Sequence, residues 1–411
     1  MAFDAHDKQI LRELARRVAE IGHHPRQAER REMWKRHNGL QKTKPMVLIF
    51  PEGAWSEILP HDTLQCTDGL ARRIEWHLRH KIYYWERLRD DNVIEPRINI
   101  GLVWSHTGWG LQPGRIHSDV ARGAWHPDPP IKDPSDLAKL RFPDLVVDDE
   151  ATQRNYEQVA DAVGDIIEVR IHRRMHIWGE SSIVRELAML RGLDQIMYDM
   201  IDRRDWVHEA MSFLAEGTHR LLDQMEAYGK LDLANEDDYV GSGGVAYTDE
   251  LPSEGFDGRV RLKDLWGFAE AQELSQVSPE MHEEFALQYQ RPLLERFGLT
   301  CYGCCEPVTD RLQYVLKIPN LRRISISPWA DLRIAAEQLR DKYVFSWKPN
   351  PAQICGHFDE DRIRKDIRNT LDIAKGCVLE MILKDTHTCE HDPSRLSAWV
   401  RIAQEETGGL D

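Results

Sequence analysis

"RISISPWADLRIAAEQLRDKYVFSWKPNP", residues 323–351, reads as one strand–helix–strand unit. A short apolar strand ends at Trp329 and Asp331, "LRIAAEQLR" has the spacing of a helix, and "YVFSW" is a second strand ending at Lys348 and Asn350. A strand pair joined through a helix is the repeating unit of a parallel sheet. Forward of it lie the helix "DEDRIRKDIRNTLDIAK", the strand "CVLEMILKD" and the helix "SRLSAWVRIAQEE". Backward lie the strand "GLTCYGCCEP", a helical stretch at 278–296, "LDLANEDDY" as a strand ending in acids, and a helical stretch at 183–227. Earlier still come "DIIEVRIHRRMHIWGE", "INIGLVWSHTGWG" and "KPMVLIFPEGAW", each a strand with a polar end, and about 40 N-terminal residues of helical pattern. Strand cores fall near 46, 98, 166, 231, 299, 323, 343 and 378. That alternation predicts a (β/α)8 TIM barrel, one domain over 1–411 with a helical extension at 1–40.

The 411 residues suit either one large α/β barrel or two domains; 41% are hydrophobic and 30% charged, ordinary for a globular protein. No apolar run of ~18 residues predicts a membrane span, and the charged N-terminus has no signal-peptide centre, so a cytoplasmic protein is expected. A net charge of −15 argues against a general nucleic-acid partner. Six of the seven cysteines lie in the last third, which in a reducing compartment points to metal binding or chance before disulfides.

A barrel gathers the residues that follow its strands on one face, where such folds place their active sites. Here those residues include Glu52 and Trp55; His106 and Trp109; His176, Trp178 and Glu180; Glu236, Asp237, Asp238 and Tyr239; Cys304, Cys305 and Glu306; Trp329 and Asp331; Lys348 and Asn350; Lys384, Asp385 and His387. Glu180, Asp237 and Lys384 are the candidates for moving a proton or fixing the substrate. Trp55, His176, Trp178, Tyr239, Trp329 and Lys348 are the candidates for substrate contact, the tryptophans as an aromatic wall for an aryl ring or a methylammonium group. "CYGCCE" reads as a metal site, as a redox pair of Cys301 and Cys304, or as a buried strand end with small sulfur side chains. Neighbours on a strand face opposite ways, so Cys304 and Cys305 act together only if the strand has ended before them.

"RELAMLRGLDQIMYDMIDRRDWVHEAMSFL", "NEDDYVGSGG", "VSPEMHEEFALQYQRPLLERFGL" and "CYGCCEP" followed by "ISISPWADLRIAAEQL" occur in this order. Over roughly residues 180 to 405 the chain thereby resembles the uroporphyrinogen decarboxylase-like superfamily, which includes zinc- and corrinoid-dependent methyltransferases. The arginine-rich substrate loop of true porphyrinogen decarboxylases is absent after the first strand, where "FPEGAWSE" stands, and their late Gly-His-Gly is replaced by "ILKDTHTCEHDP". The methyltransferase branch implies a zinc site of the form His-x-Cys after the sixth strand with a further Cys after the eighth. With Cys305 in the cysteine place, Gly303 holds the histidine place and Glu306 is an added ligand; with Cys304 there, Tyr302 holds it. Asp385 lies near the last cysteine's place and His387 two residues on. The implied metal residues are therefore Cys304, Cys305, Glu306, Asp385 and His387.

The resemblance implies a metal-dependent methyltransferase. It takes a methyl group from a small methylated substrate, such as a methoxylated aromatic undergoing O-demethylation, and passes it to the cobalamin of a separate corrinoid protein. No Asp-x-His-x-x-Gly corrinoid motif occurs in this chain, so the cobalamin is expected on the partner. A homodimer is expected by the same resemblance. Two alternatives stand beside it: a metal-free decarboxylase or lyase of a small carboxylic substrate, and a non-catalytic barrel that binds a small ligand or corrinoid.

Overall fold

A computed structural model describes residues 2–119, 123, 125–175 and 182–409. His176, Trp178 and Glu180 lie outside the described residues. Eight parallel strands, numbered here in chain order, carry the fold. They are β1 Met46–Ile49, β2 Arg97–Gly101, β3 Glu168–His172, β4 Trp266–Ala269, β5 Leu299–Tyr302, β6 Leu321–Ile326, β7 Val344–Trp347 and β8 Val378–Leu383. Six form one sheet in the order β1-β8-β7-β6-β5-β4, while β2 and β3 pair in a separate two-stranded sheet. Among the described residues no strand pairing joins β1 to β2 or β3 to β4, so the sheets leave two openings there in place of the closed barrel the sequence predicts. The unit at 323–351 forms as its pattern predicts: Arg323 lies opposite Val344, Ile326 opposite Trp347, and the helix Leu332–Leu339 crosses between.

Each opening has a local cause. Residues 90–91 run along the free edge of β1, where the Asp91 carboxylate accepts the Val47 N–H at 2.8 Å and the Asp90 carboxylate accepts the Ile49 N–H at 3.1 Å. Side-chain oxygens thus satisfy amides that a neighbouring strand would otherwise take. At the other opening, residues 231–234 are irregular and lie along the end of β3, with the Asp232 N–H on the Arg173 carbonyl at 3.2 Å. The strand expected near 231 is replaced in the sheet by β4. Its Gly267 leaves room for Phe297, whose ring carbon lies 2.6 Å from where a Cβ would stand. A stretch with glycine at its centre carries little strand signal.

Outward residues of the strands, among them Val47, Ile324, Ile326, Phe345, Leu379 and Met381, pack against Ala335, Leu339, Ile363, Ile367 and Trp399 of the surrounding helices. Full burial of each large apolar side chain stabilises the fold by about 1.5–3 kcal/mol. Inward residues differ: Arg323, Ser325, Ser346, Lys348 and Glu380 are buried there, in place of the branched aliphatics usual inside such folds. The N-terminal residues form the helices α1 (Ala5–Gly22), capped by Asp4, and α2 (Pro25–Asn38). α1 packs through Leu11 and Val18 against Ala71, Ile74 and Leu78 of α3 (Gly69–Tyr83). No described helix is long and apolar enough to cross a membrane.

Candidate functional site

β5 ends at Tyr302 and Gly303 turns the chain, with φ +90° and Ser325 and Val308 crowding the place of a Cβ. An L-residue rarely adopts that conformation. The turn takes Cys304 and Cys305 off the strand, so neighbours in sequence reach the same place: their sulfurs are 3.6 Å apart. Cys305 is exposed and its Sγ lies 3.8 Å from Asp385 Oδ2; Cys304 is buried. Asp385, after β8, holds φ +59°, a strained conformation for a non-glycine residue.

A loop from 239 to 245 enters the strands' interior between β3 and β4. Gly241 passes so close to Cys301, and Gly244 to Arg323, that a Cβ at either would overlap them. This explains "VGSGG" and brings Ser242 to 3.7 Å from Cys304 Sγ. Lys384 completes the group: its Nζ is 3.4 Å from Ser242 Oγ, 3.9 Å from Cys304 Sγ and 3.6 Å from Asp385 Oδ1. The Cys305 thiol donating to it, and the Lys384 ammonium beside it, draw the Cys304 thiol below its ordinary range. Cys305 is correspondingly pushed up. Burial raises the carboxyl of Glu52, which faces Lys384 and Asp385 from the loop after β1.

Beneath this group runs a buried polar chain. Glu380 accepts from Ser346 Oγ and from Arg323 Nη2 at 3.2 Å, pairs in charge with the Arg323 guanidinium, and meets His37 Nε2 at 3.1 Å. Lys348, 3% exposed, donates to Ser346 Oγ at 2.5 Å. Burial lowers the Lys348 amine from 10.5 to about 7. The unfolded chain then binds more protons between those two values. The cost of the buried charge is full below about pH 7 and fades as pH rises towards the unfolded value. Lys348→Met is therefore expected to raise Tm at pH 6 and to lose that advantage towards pH 10. An equal gain at both pH values would show that the lysine is not held neutral.

A cavity of about 1030 Å³ adjoins the group, lined by Lys384, Ser242 and Glu52 at this end and by α3 along one wall. Trp55, Asp237 and Tyr239 line it as well. Trp55 stacks on His80 (centroids 3.6 Å), and Tyr239 meets the edge of Phe50 and donates to Asn92 Oδ1 at 2.6 Å. Asp237 receives Arg97 Nη2, and Asp238 is held by His172 and Arg174. Other candidates are placed elsewhere. Trp329 is 72% exposed and outside the cavity wall, and Lys348 is sealed below it. The Glu306 carboxylate is occupied by backbone amides, Cys304 N–H at 2.8 Å and Ala271 N–H at 3.1 Å. His387 lies against Gly53. Two residues with a clear place at the cavity, Ser242 and His77, carried no individual signal in the sequence; only the glycines around Ser242 marked its loop.

Among the described residues no three His, Cys, Asp or Glu side chains form a closed coordination group. Cys304, Cys305 and Asp385 instead make two edges of one, 3.6 and 3.8 Å long, and Lys384 spans the third side.

No family model matches the sequence, and no curated protein matches it. Among solved structures, a methyltransferase from Methanosarcina mazei has a similar fold: TM-score 0.50 at 11% identity, over 91% of this chain and 97% of that one.

Proposed function

We propose that this chain is a methyltransferase of the uroporphyrinogen decarboxylase-like kind, built on a (β/α)8-type barrel whose two openings are bridged by loops. It removes a methyl group from a small methylated substrate, a methoxylated aromatic in the first instance, and delivers it to the corrinoid of a separate protein. The observation that carries this reading is the convergence of Cys304, Cys305, Lys384 and Asp385 at the end of a large aromatic-walled cavity. Likeness in fold to a methyltransferase supports it.

The donor types fit zinc. Zn–S bonds of about 2.3 Å set sulfur–sulfur edges of about 3.7 Å in a tetrahedron, close to the two edges formed by Cys304, Cys305 and Asp385. A zinc ion held by these three would supply Lewis acidity toward the oxygen that loses the methyl group. The chain's own residues do the rest. Trp55 and Tyr239 orient a ring, Lys384 presents positive charge where negative charge gathers, and Glu52, whose carboxyl burial raises, faces the departing oxygen as a proton donor in exchange with it.

Elemental analysis of the purified protein tests the site. About one zinc per chain, lost in Cys305→Ala together with methyl transfer to a reduced corrinoid protein, is the expected result. Full methyl transfer by a zinc-free protein would remove the metal from the reading. One observation favours a second reading: Lys384 spans the side between Cys304 and Asp385 that a metal would close. A metal-free lyase would use that ammonium directly, and release of carbon dioxide from a carboxylic substrate without any methyl acceptor would establish it.

A further inference from the structure

Five of the seven cysteines are sealed or occupied. Cys66 and Cys301 are buried, Cys301 beside Arg323 Nη1 at 3.8 Å. Cys355 and Cys377 donate to the carbonyls of Thr388 and Ala336, each at 3.7 Å, and Cys389 donates to Glu57 Oε2 at 3.1 Å. Cys304 and Cys305 differ: their sulfurs stand 3.6 Å apart, and Cys305 is exposed. The backbone holds the pair in place. Gly303 turns at φ +90°, the Cys304 N–H donates to Glu306 Oε2 at 2.8 Å, and the Cys304 carbonyl accepts from Ser325 Oγ at 2.9 Å. Glu306 is itself fixed by the Ala271 N–H at 3.1 Å.

Two thiols at this spacing have a chemistry of their own. An S–S bond is about 2.05 Å long, so rotation of the two side chains has only about 1.5 Å to close. Successive Cα atoms stand about 3.8 Å apart, below the ~4.4–6.8 Å usual for disulfides. The bridge is therefore strained, and the exposed Cys305 opens it to reducing thiols. Strained, exposed bridges are the easily reduced ones, unlike those that hold a core together.

We propose that Cys304 and Cys305 form a reversible thiol switch, oxidised by a peroxide to a disulfide between neighbours in the chain and restored by a small thiol. This goes beyond the methyl-transfer reading and does not rest on it. One sulfur attacks hydrogen peroxide: an S–O bond forms, the O–O bond breaks, and water leaves with that thiol's proton. The other sulfur then attacks the first: the S–S bond forms, the S–O bond breaks, and a second water leaves with the second proton. The two thiols lose two electrons and the peroxide gains them. Two molecules of glutathione reverse the step and become its disulfide. In the oxidised state neither sulfur is a thiolate, so neither binds a metal or acts as a nucleophile. Lys384 and Ser242 lose the thiol they now meet at 3.9 and 3.7 Å.

The test treats the reduced, purified protein with hydrogen peroxide, then counts free thiols with iodoacetamide after unfolding. The expected result is loss of two of the seven thiols, both regained with glutathione, and the same behaviour in Cys301→Ala. Cys304→Ala and Cys305→Ala should form no disulfide and should trap dimedone at the remaining sulfur of the pair, as a sulfenic acid does. Seven reactive thiols after peroxide, or a loss that glutathione does not reverse, would overturn the switch. Failure of the disulfide in Cys301→Ala would overturn the pairing in favour of Cys301 with Cys304. A parallel run with a zinc chelator keeps the metal separate. Faster oxidation with the chelator supports the switch and zinc together; equal rates support the switch and count against zinc at these sulfurs.

Discussion

Lys384→Met should lower kcat for the proposed demethylation by roughly 100-fold or more, while Tm changes little. Lys384 is 8% exposed and lies within 4 Å of Ser242, Cys304 and Asp385. Burial opposes its charge, but Cys304, Asp385 and Glu52 outweigh burial and raise its amine above the ordinary value. Without it these groups face one another with no organic cation. The Cys304 thiol moves back up, and a departing oxygen finds no ammonium at the cavity's end. The loss belongs in kcat more than in KM, since the interaction strengthens as negative charge develops. Lys384→Arg keeps the charge but spreads it over a planar fork, and should recover only part of the rate. An unchanged kcat/KM in Lys384→Met would remove this residue from the chemistry.

Glu380→Ala is expected to destabilise the fold by about 3–5 kcal/mol, the usual cost of stranding a buried charge. Glu380 is fully buried and serves Arg323, Ser346 and His37 at once. Arg323, His37 and Lys348 hold its carboxyl well below the ordinary range despite burial. Removing it leaves the Arg323 guanidinium sealed among carbonyls and the Trp266 ring, with no counter-charge on the strands. Replacing both members, as in Arg323→Met with Glu380→Leu, should cost much less than the sum of the single changes, because no charge is then left alone. Urea unfolding of the four proteins measures this cycle, and additive costs would show that the pair does not act as a unit.

The strand–helix alternation was legible because it is local. Ile324 and Ile326 alternate with serines, and the helix "LRIAAEQLR" repeats its apolar residues every three to four positions. From that alternation it followed that residues after different strands would meet, and Glu52, Cys304, Cys305, Lys384 and Asp385 do gather. Less legible was β4, whose Gly267 yields its space to Phe297. The stretch at 231–234 has a strand's alternation yet pairs with no neighbour for its length.

Side-chain direction was beyond the pattern. Glu306 follows the two cysteines directly, but the turn at Gly303 commits its carboxylate to the backbone amides of Cys304 and Ala271. Trp329 sits after a strand like Trp55, and faces water while Trp55 stacks on His80.

The sequence by itself determined the parallel α/β architecture and the end of it at which Glu52, Cys304, Cys305, Lys384 and Asp385 gather, because both follow from periodicities among near neighbours in the chain. Only the tertiary structure decided that β1 is edged by Asp90 and Asp91, that a glycine loop delivers Ser242 to Cys304, and that Lys384 reaches both of these. These depend on strand register and on loops crossing openings in the sheet, which are set by packing between segments 41 or more residues apart.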